Sequence, residues 1–338
     1  MAIMKAAQIS GPGADFELVE RPVPEPGPGQ VRVKVEACGI CHSDMFVKDG
    51  LFPGIEYPRI PGHEVAGTID ALGSGVRGWT TGLRVGVGWH GGHCFHCAAC
   101  RAGDFINCAD AQVTGIHFDG GYAQYLCAPA EAVAAIPDEL KAVDAAPLLC
   151  AGITVYNALR SSGARPGDVV AIQGLGGLGH LAVQYAQRMG FRTVAISHGD
   201  AKRALAQQLG AHHYIDTRAE DPAQSLLALG GARVILATAP SSPAIGTVLD
   251  GLAPNGSVMV VGADAQPIPV TPLQLIRGRH RLQGWASGSA QDSEDTMRFS
   301  TLTKVSPMVE TYPLAQVSKA YERMITNQAR FRVVLTMV

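Results

Sequence analysis

A glycine-rich turn places the strongest constraint on the fold of this chain. Gly174-Leu-Gly176-Gly177-Leu-Gly179 lies between an apolar stretch at residues 168–173 and a segment whose apolar residues recur at helical spacing. Glycines also serve ordinary turns. In a strand–turn–helix setting, however, they bring bare backbone to a pyrophosphate whose charge the helix N-terminus favours. We therefore predict that these four glycines bind a dinucleotide.

Strands and helices alternate after this turn. The pattern predicts strands at residues 193–197, 214–216, 234–238 and 257–261, and a helix at 201–209 that stops at Gly210. Asn255-Gly256 indicates a turn before the last strand, and Gly262 just after that strand is expected near the cofactor. Such alternation predicts βαβ units and a doubly wound parallel sheet, which is an α/β domain.

The amino-terminal half has a different pattern. Residues 30–36 alternate polar and apolar, and short apolar pieces separated by Gly and Pro continue to about residue 136. This half predicts a small, irregular β domain. A chain of 338 residues favours two domains. We expect a β domain at 1–150, a nucleotide-binding domain at 151–284, and a tail at 285–338, with a helix at 317–325 and a strand at 332–336, that returns to the first domain.

Composition narrows the partners and the compartment. The net charge of −2 gives no basic face for nucleic acid or an anionic membrane, so a small-molecule partner is expected. The start of the chain lacks the apolar length of a secretory signal, and no uninterrupted apolar stretch approaches twenty residues. A cytoplasmic location is expected, where the eight cysteines serve as metal ligands or buried thiols rather than disulfides.

Four cysteines lie within one short segment. Cys94, Cys97, Cys100 and Cys108 supply four thiolates, which close a tetrahedron around zinc and leave no position open. A redox Cys-x-x-Cys pair would need only two of them. The spacing predicts a structural zinc lobe at about residues 91–109.

A second metal site is predicted from distant residues. Cys41 and His63 offer the ligand types that zinc prefers, and polar residues surround them. Cys150 stands where the β pattern gives way to the α/β pattern. A lone cysteine among apolar residues is commonly a packed thiol. Paired with Cys41 and His63, Cys150 becomes the third ligand of a catalytic zinc.

The end of the second predicted strand bears on cofactor choice. NAD-preferring proteins usually place an acidic residue there, whereas this chain has Ser197, followed by His198, Lys202 and Arg203. We expect a preference for NADP(H), with NAD(H) as the alternative. Lys202 and Arg203 also suit a solvated helix face, and Asp200 opposes the preference.

With these residues assembled, the chain resembles the zinc-dependent alcohol dehydrogenases of the medium-chain dehydrogenase/reductase superfamily. The resemblance runs essentially from end to end. Its most specific marks are Gly39-Ile-Cys41-His-Ser-Asp44, Gly62-His63-Glu64, the four cysteines, Cys150-Ala-Gly-Ile-Thr154-Val-Tyr and the glycine turn. It implies a GroES-like β-barrel catalytic domain, a Rossmann domain, and a tail that returns to the barrel.

The resemblance also implies roles for individual residues. Cys41, His63 and Cys150 would hold the catalytic zinc, Asp44 would orient His63, and Glu64 would lie beside the metal as a transient ligand. Further roles follow the same motifs: proton relay for Ser43, pyrophosphate contact for His42 and Arg332, nicotinamide contact for Thr154, and pocket walls for Phe52 and Trp89. On sequence alone, Ser43 serves equally well as a turn-capping serine.

One position departs from the family pattern. The family often carries a histidine three residues after the relay hydroxyl, whereas this chain has Phe46, which cannot carry a proton. We expect the relay to end in water or the cofactor ribose, and Phe46 to line the substrate pocket. The two aromatic pocket walls, Phe52 and Trp89, would favour flat or small primary alcohols and aldehydes, although both rings also suit ordinary packing.

The sequence therefore predicts an enzyme with two zinc ions per chain that transfers hydride between NADP(H), or NAD(H), and a primary alcohol or aldehyde. Relatives suggest a dimer or tetramer. One alternative is a zinc-free reductase of activated double bonds, which would need none of the ligands. Another is a non-catalytic nucleotide-binding relative, against which the three intact ligands argue.

Overall fold

The computed structural model describes residues 2–337. The chain divides into two compact units: the first runs to Ile153 and resumes at Ser287, and the second comprises Thr154–Ala286. The sequence places the corresponding boundaries at residues 150 and 284. The first unit is therefore built from two separate segments of the chain, whereas the second is continuous.

The first segment is mainly β structure. Its strands are β1 (Ile3–Ile9), β2 (Phe16–Pro22), β3 (Gln30–Ile40), β4 (Val65–Leu72), β5 (Arg84–Val87), β6 (His90–Gly92), β7 (Gln112–Val113), β8 (Tyr125–Pro129) and β9 (Val133–Ala135). Its helices are α1 (Met45–Lys48), α2 (Ala98–Arg101) and α3 (Ala142–Pro147). The short strands follow from the frequent Gly and Pro that interrupt them.

Strand β3 is the centre of the larger sheet in this unit. It pairs antiparallel with β4 and with β8. The alternation read from the sequence is realised, because Val31, Val33 and Val35 are all buried in the core of the unit. β3 continues to Ile40, four residues past the predicted end at 36. This extension carries the chain directly to Cys41.

The second unit contains the nucleotide-binding pattern. Its elements follow α4 (Ile153–Ser161), which begins at the boundary, and are β10 (Val169–Gln173), α5 (Gly179–Arg188), β11 (Arg192–Ser197), α6 (Arg203–Gln208), β12 (His213–Asp216), α7 (Pro222–Ala228), β13 (Ala232–Ala237), α8 (Ser242–Val248), β14 (Leu252–Val260), α9 (Pro272–Gly278) and β15 (Arg281–Gly284). All neighbouring strands pair in parallel, in the order β12-β11-β10-β13-β14-β15. The predicted doubly wound parallel sheet is confirmed.

The predicted turn at Asn255-Gly256 is wrong. Both residues lie inside β14, where the pairing with β13 shifts its register. Asn255 adopts a φ of +63°. A Cβ at Gly256 would lie 2.8 Å from the carbonyl oxygens of Ala232 and Ala253. These residues form a β-bulge, which uses the same Asn and Gly preferences as a turn.

The tail completes the first unit. It contains α10 (Ala290–Thr303), β16 (Val309–Pro313), α11 (Val317–Ile325) and β17 (Arg332–Thr336). β17 pairs antiparallel with the end of β3, with Val334 opposite Gly39. α10 escaped the sequence pattern because its fully buried side chains include Ser293, Thr296 and Ser300, so it lacks an apolar stripe.

One helical run, Ala142–Ser161, is long and apolar enough to cross a membrane, but 78% of its most apolar window is buried inside the protein. Burial of this extent is typical of a core helix. The run includes a π-helical turn at Leu148–Gly152, and this turn carries Cys150.

Candidate catalytic metal centre

Three stretches of the first unit converge on one cluster. Cys41 follows β3, His63 and Glu64 immediately precede β4, and Cys150 lies in the π-helical turn. π-Helical turns inside helices are frequent at functional sites because they redirect one side chain. A ligand atom from each of these four residues lies within 4.8 Å of the others. The structure thus brings together the residues predicted to hold the catalytic zinc.

The spacing of the two thiols fits a shared metal ion. The Sγ atoms of Cys41 and Cys150 are 3.7 Å apart. Two sulfurs bound tetrahedrally to one zinc at about 2.3 Å would be about 3.8 Å apart. No disulfide joins them, since all eight cysteines are free thiols. The pair is therefore spaced as zinc ligands are.

His63 presents one nitrogen toward this cluster. Its Nδ1 lies 3.2 Å from Oδ1 of Asp44, which fixes the orientation of the ring. Its Nε2 is buried and has no hydrogen-bond partner among the described residues. A buried imidazole nitrogen without a partner is costly unless a metal binds it. Together with the two sulfurs, Nε2 supplies the donor set that zinc prefers, so the residues fit the metal.

Asp44 is the centre of a hydrogen-bond network beneath the ligands. Its Oδ2 accepts hydrogen bonds from the Cys41 backbone N–H, at 2.8 Å, and from the Tyr122 hydroxyl, at 2.7 Å. Tyr122 is fully buried. The sequence prediction missed Tyr122, because a single tyrosine 78 residues from Asp44 carries no local signal. Three contacts therefore lock the carboxylate that holds His63.

Glu64 and Arg332 form a buried ion pair beside the cluster. Arg332 donates one hydrogen bond to Glu64 Oε1 and another, at 3.2 Å, to the carbonyl of Ile40. The other carboxylate oxygen, Oε2, is buried without a hydrogen-bond partner. Burial raises the pKa of Glu64 to about 7, although the Arg332 charge opposes the shift. The role of Glu64 as a transient ligand and the contact of Arg332 with a pyrophosphate both stay predictions.

A glycine makes room for Glu64. A Cβ at Gly39 would lie 1.8 Å from Glu64 Oε2, which no side chain tolerates. Gly39 is in β3 and pairs with Val334 of β17, so the carboxylate lies against bare backbone at the point where the tail joins the sheet. In the sequence, Gly39 is only one residue of a motif. The structure explains why this residue is glycine, because a side chain would overlap Glu64.

The electrostatics of the site favour a thiolate. The hydrogen bond with Cys150 lowers the pKa of Cys41 well below its ordinary value, despite burial, and raises that of Cys150. Burial acts to lower the pKa of His63, but the Asp44 charge and hydrogen bond raise it well above its ordinary value. The site thus combines an anionic sulfur, which suits a divalent cation, with an imidazole that must release a proton when it binds one.

Aromatic side chains surround the same centre. The Trp89 ring packs edge-on against His63, with ring centroids 4.9 Å apart. Phe52 contacts Trp89 at 6.3 Å and Phe46 at 6.2 Å. His117, which the sequence analysis missed, packs edge-on against Phe52 at 5.8 Å. The rings of the three predicted pocket residues therefore form one connected series of contacts that starts at His63, a predicted zinc ligand.

The remaining predicted residues lie in less constrained positions. Ser43 Oγ is 3.7 Å from Cys41 Sγ, next to the metal ligands. His42 is exposed in the short 3₁₀ turn that also holds Asp44. Thr154 is buried in the first turn of α4. Their contacts with alcohol, pyrophosphate and nicotinamide stay predictions.

The four-cysteine lobe is a separate site. One sulfur from each of Cys94, Cys97, Cys100 and Cys108 lies within 4.8 Å of the others. Backbone N–H groups donate to these sulfurs, for instance from Cys94 to Cys108 Sγ at 3.3 Å. The N–H of Cys100 is the largest cause lowering the pKa of Cys97 to about 6. The arrangement fits a closed tetrahedral zinc site.

The predicted nucleotide turn lies between β10 and α5 of the second unit. Gly174 has a φ of +97°, and a Cβ at Gly179 would lie 1.9 Å from the Gly174 carbonyl oxygen. Gly176 has no atom within 4 Å of its missing Cβ. Gly177 lies in the same turn. A Cβ at Gly262 would lie 2.9 Å from the carbonyl oxygens of Thr238 and Ala239, so the close approach of these backbone segments explains why this residue is glycine.

The basic residues near the end of β11 have protein partners. Lys202 Nζ donates to the Leu175 carbonyl inside the glycine turn, at 2.8 Å. Arg203 pairs with Asp200 and stacks on Tyr214. Ser197 pairs with Asp216 across β11 and β12, and the Tyr214 hydroxyl donates to the Gly199 carbonyl at 2.6 Å. His198 contacts Thr217 and Arg218. Arg218 is a further cation that the sequence analysis did not single out.

Comparison with known proteins places these sites in a family. Residues 27–138 match the alcohol dehydrogenase GroES-like domain, and residues 177–301 match the zinc-binding dehydrogenase domain. The chain is 43% identical over 334 residues to alcohol dehydrogenase notN of Aspergillus sp. (strain MF297-2), covering 98% of each chain.

Two solved structures share the whole fold. Cinnamyl alcohol dehydrogenase SbCAD4 from Sorghum bicolor superposes with a TM-score of 0.89 at 31% identity, over 99% of this chain and 98% of that one. CAD from Helicobacter pylori, in complex with NADP(H), gives 0.87 at 26% identity, over 99% and 98%. The chain belongs to the zinc-dependent alcohol dehydrogenase family of the medium-chain dehydrogenase/reductase superfamily, and it is an NAD(P)-dependent alcohol oxidoreductase.

Proposed function

We propose that the chain interconverts primary alcohols and aldehydes with NADP(H) as the preferred cofactor, at a zinc held by Cys41, His63 and Cys150. The observation that carries the proposal is the unpartnered, buried Nε2 of His63 beside two thiols at zinc-ligand spacing. Three protein ligands leave one coordination position for the substrate oxygen. The four-cysteine lobe would hold a second zinc.

The protein's own residues would prepare this centre for reaction. A bound zinc supplies a Lewis acid that polarises the substrate oxygen. Asp44 keeps the proton of His63 on Nδ1 and so keeps Nε2 available for the metal. The Ser43 hydroxyl, beside Cys41, would take the alcohol proton, and Phe46 offers no further acceptor. The proton would then leave through water or the cofactor ribose.

The aromatic wall supports flat substrates. Trp89, Phe52 and Phe46 present consecutive ring contacts that begin at His63, and aromatic faces favour planar partners. The structural similarity to a cinnamyl alcohol dehydrogenase supports the same choice. We propose aromatic or allylic primary alcohols and their aldehydes as the preferred substrate class.

The cofactor preference has two supports. Ser197 stands where an acidic residue would repel a 2′-phosphate, and Asp200, the nearby carboxylate, is paired with Arg203. The Helicobacter pylori relative was solved with NADP(H). Both favour the phosphorylated cofactor for this chain.

Oligomer formation is also proposed. β15 is an edge strand of the parallel sheet, and all four of its residues are exposed. The adjacent sequence in α9 exposes Leu273 and Ile276, at 71% and 72% of their surface. An exposed strand edge beside apolar side chains is typical of a surface that another chain covers. We propose a homodimer or tetramer that uses this face, in a cytoplasmic enzyme whose thiols stay reduced.

One experiment tests the core of the proposal. Purified protein should contain about two zinc ions per chain, and Cys150→Ser should retain about one. Wild type should oxidise cinnamyl and benzyl alcohol with a higher kcat/KM than ethanol or 2-propanol, and NADP⁺ should give a higher value than NAD⁺. Zinc-free protein that reduces activated double bonds would instead support the reductase alternative. Loss of both zinc ions in Cys150→Ser would show that the variant is misfolded, and His63→Ala then provides the second test.

A further inference from the structure

Arg218 lies at the predicted cofactor-binding edge of the second unit. It follows β12, whose end Asp216 pairs with Ser197 at the end of β11. Its Nη1 lies 3.6 Å from the position that a Cβ of Gly199 would occupy, so the guanidinium covers the loop after β11. This is the loop in which cofactor selection by the adenosine ribose is expected.

A histidine fixes the direction of this guanidinium. Arg218 Nε donates to His198 Nε2 at 2.8 Å. Because Nε2 accepts, the neutral imidazole carries its proton on Nδ1, which lies 3.3 Å from Thr217 Oγ1. Only Nε of Arg218 takes part in this contact. Its two terminal amino groups have no hydrogen-bond partner among the described residues. A guanidinium held in this way presents a fork suited to a phosphate.

The carboxylate of Asp216, at the end of β12, accepts hydrogen bonds from backbone donors. Asp216 Oδ1 accepts from the backbone N–H groups of Gly199, at 2.7 Å, and Arg218, at 2.9 Å. These bonds tie together the loops that follow β11 and β12. Asp216 therefore positions Arg218 through its backbone, and its Oδ1 is committed to these N–H groups.

The two cations named from the sequence are occupied. Arg203 pairs with Asp200, and its guanidinium lies 4.8 Å above the Tyr214 ring. Lys202 holds the Leu175 carbonyl of the glycine turn. Arg203 thus neutralises Asp200, while Lys202 supports the backbone that faces the pyrophosphate.

We infer that Arg218, positioned by His198, selects the cofactor by binding the 2′-phosphate of its adenosine ribose, and that Arg203 does not take this role. The inference rests on the proposed NADP(H) preference. The sequence pattern pointed to the basic residues at 197–203. The inference instead assigns phosphate binding to a cation that follows the next strand, β12. The ligand class is a 2′-phosphorylated adenosine nucleotide.

Calorimetric titration of the full-length protein with 2′,5′-ADP and with 5′-AMP tests the inference without turnover. Arg218→Ala should weaken 2′,5′-ADP binding about tenfold to a hundredfold, as expected for loss of charged hydrogen bonds, and should leave 5′-AMP within about twofold. Arg218→Lys should recover part of the loss. The double variant Asp200→Ala/Arg203→Ala removes Arg203 without leaving the Asp200 charge unpaired. It is the matched control and should change the ratio of the two affinities little.

The outcomes separate this inference from the proposed function. If wild type favours 2′,5′-ADP but Arg218→Ala keeps that preference, or Asp200→Ala/Arg203→Ala removes it equally, the assignment to Arg218 is wrong while the NADP(H) preference stands. If wild type binds both nucleotides equally, the cofactor preference fails and the inference fails with it. If Arg218→Ala weakens both nucleotides equally, Arg218 is a structural residue of the loop, and the inference is again overturned. Absence of alcohol oxidation alongside selective 2′,5′-ADP binding would count against the proposed reaction only, and would support Arg218.

Discussion

His63 and Asp44 are joined by a contact of 3.2 Å between Nδ1 and Oδ1, and the second oxygen of Asp44 is already committed to Tyr122 and to the Cys41 backbone. In Asp44→Asn, those two donors would hold the amide oxygen, so the NH₂ group would face His63. The imidazole would then have to accept at Nδ1 and carry its proton on Nε2. That tautomer cannot bind a metal through Nε2.

We therefore expect Asp44→Asn to weaken zinc binding at this centre about tenfold to a hundredfold, measured by competition with a chelator. Tyr122→Phe removes a donor but leaves the carboxylate facing His63, so its effect should be smaller. The four-cysteine zinc serves as an internal reference. Unchanged affinity in Asp44→Asn would contradict the orienting role.

Two glycines of the nucleotide turn should respond differently to alanine. Gly176 has open space at its missing Cβ, so Gly176→Ala should fold normally yet weaken NADPH binding by about tenfold or more, since backbone must approach the pyrophosphate closely. Gly179→Ala would place its Cβ 1.9 Å from the Gly174 carbonyl and should lower the thermal midpoint. Fluorescence titration and thermal unfolding distinguish the two. Equal effects of both variants on stability would refute this division.

The cysteine lobe should lose its metal independently of the catalytic centre. Cys100→Ala removes one of the four thiolates that close the tetrahedron of a structural site, so zinc content should fall from about two to about one per chain. The thermal midpoint should also fall, because a structural zinc contributes folding free energy. Metal analysis and calorimetry check both. Cys127→Ala, a thiol outside both clusters, is the matched control and should retain both ions.

Phe46 offers a test of the proton path. Phe46→His restores an ionisable group, and a histidine that joins the relay should add a step near its usual pKa of about 6.5 to the pH profile of kcat. Phe46→Tyr keeps the ring and is the packing control. An unchanged profile in Phe46→His would show that this position plays no part in proton transfer.

An ion pair between β16 and α11 predicts a pH effect on stability. Arg323 holds both oxygens of Glu310, at 2.8 and 3.2 Å, and this hydrogen bond lowers the pKa of Glu310 below its ordinary 4.5. A lowered folded-state pKa gives stabilisation that is complete above pH 4.5 and is lost as the pH falls below it. Glu310→Gln should therefore be less stable than wild type at pH 7, and the difference should shrink at pH 3.5. Urea unfolding at both pH values measures it, and a constant difference would contradict the assignment.

The sequence predicted the elements that have strict periodicity. The α/β rhythm gave the parallel sheet, and the helix at Val317–Ile325 and the strand at Arg332–Thr336 have the predicted bounds. α10 was missed because it buries hydroxyl side chains, and the Asn255-Gly256 bulge was read as a turn because both use the same residue types. Local pattern could not separate these cases.

The parts of the site that could be predicted are those whose residue types by themselves indicate metal binding. Zinc commonly binds the residue types found at Cys41, His63 and Cys150, so the prediction required only that the fold bring these three residues together. Tyr122 and Gly39 escaped because their roles exist only through tertiary contact, with Asp44 and with Glu64. Arg218 was not predicted because cofactor-binding residues were sought only at the end of β11 and in the helix after it. Arg218 follows the next strand, β12.

The pairing of Glu64 with Arg332 has a consequence for the order of assembly. These residues are 268 positions apart, and the entire second unit is synthesised between them. Since domains fold as units during synthesis, the nucleotide-binding unit is complete while the metal-binding unit still lacks β17. Until the last strand joins β3, Glu64 lacks its ion pair with Arg332, so we expect the nascent enzyme to acquire its nucleotide-binding unit before its finished catalytic centre.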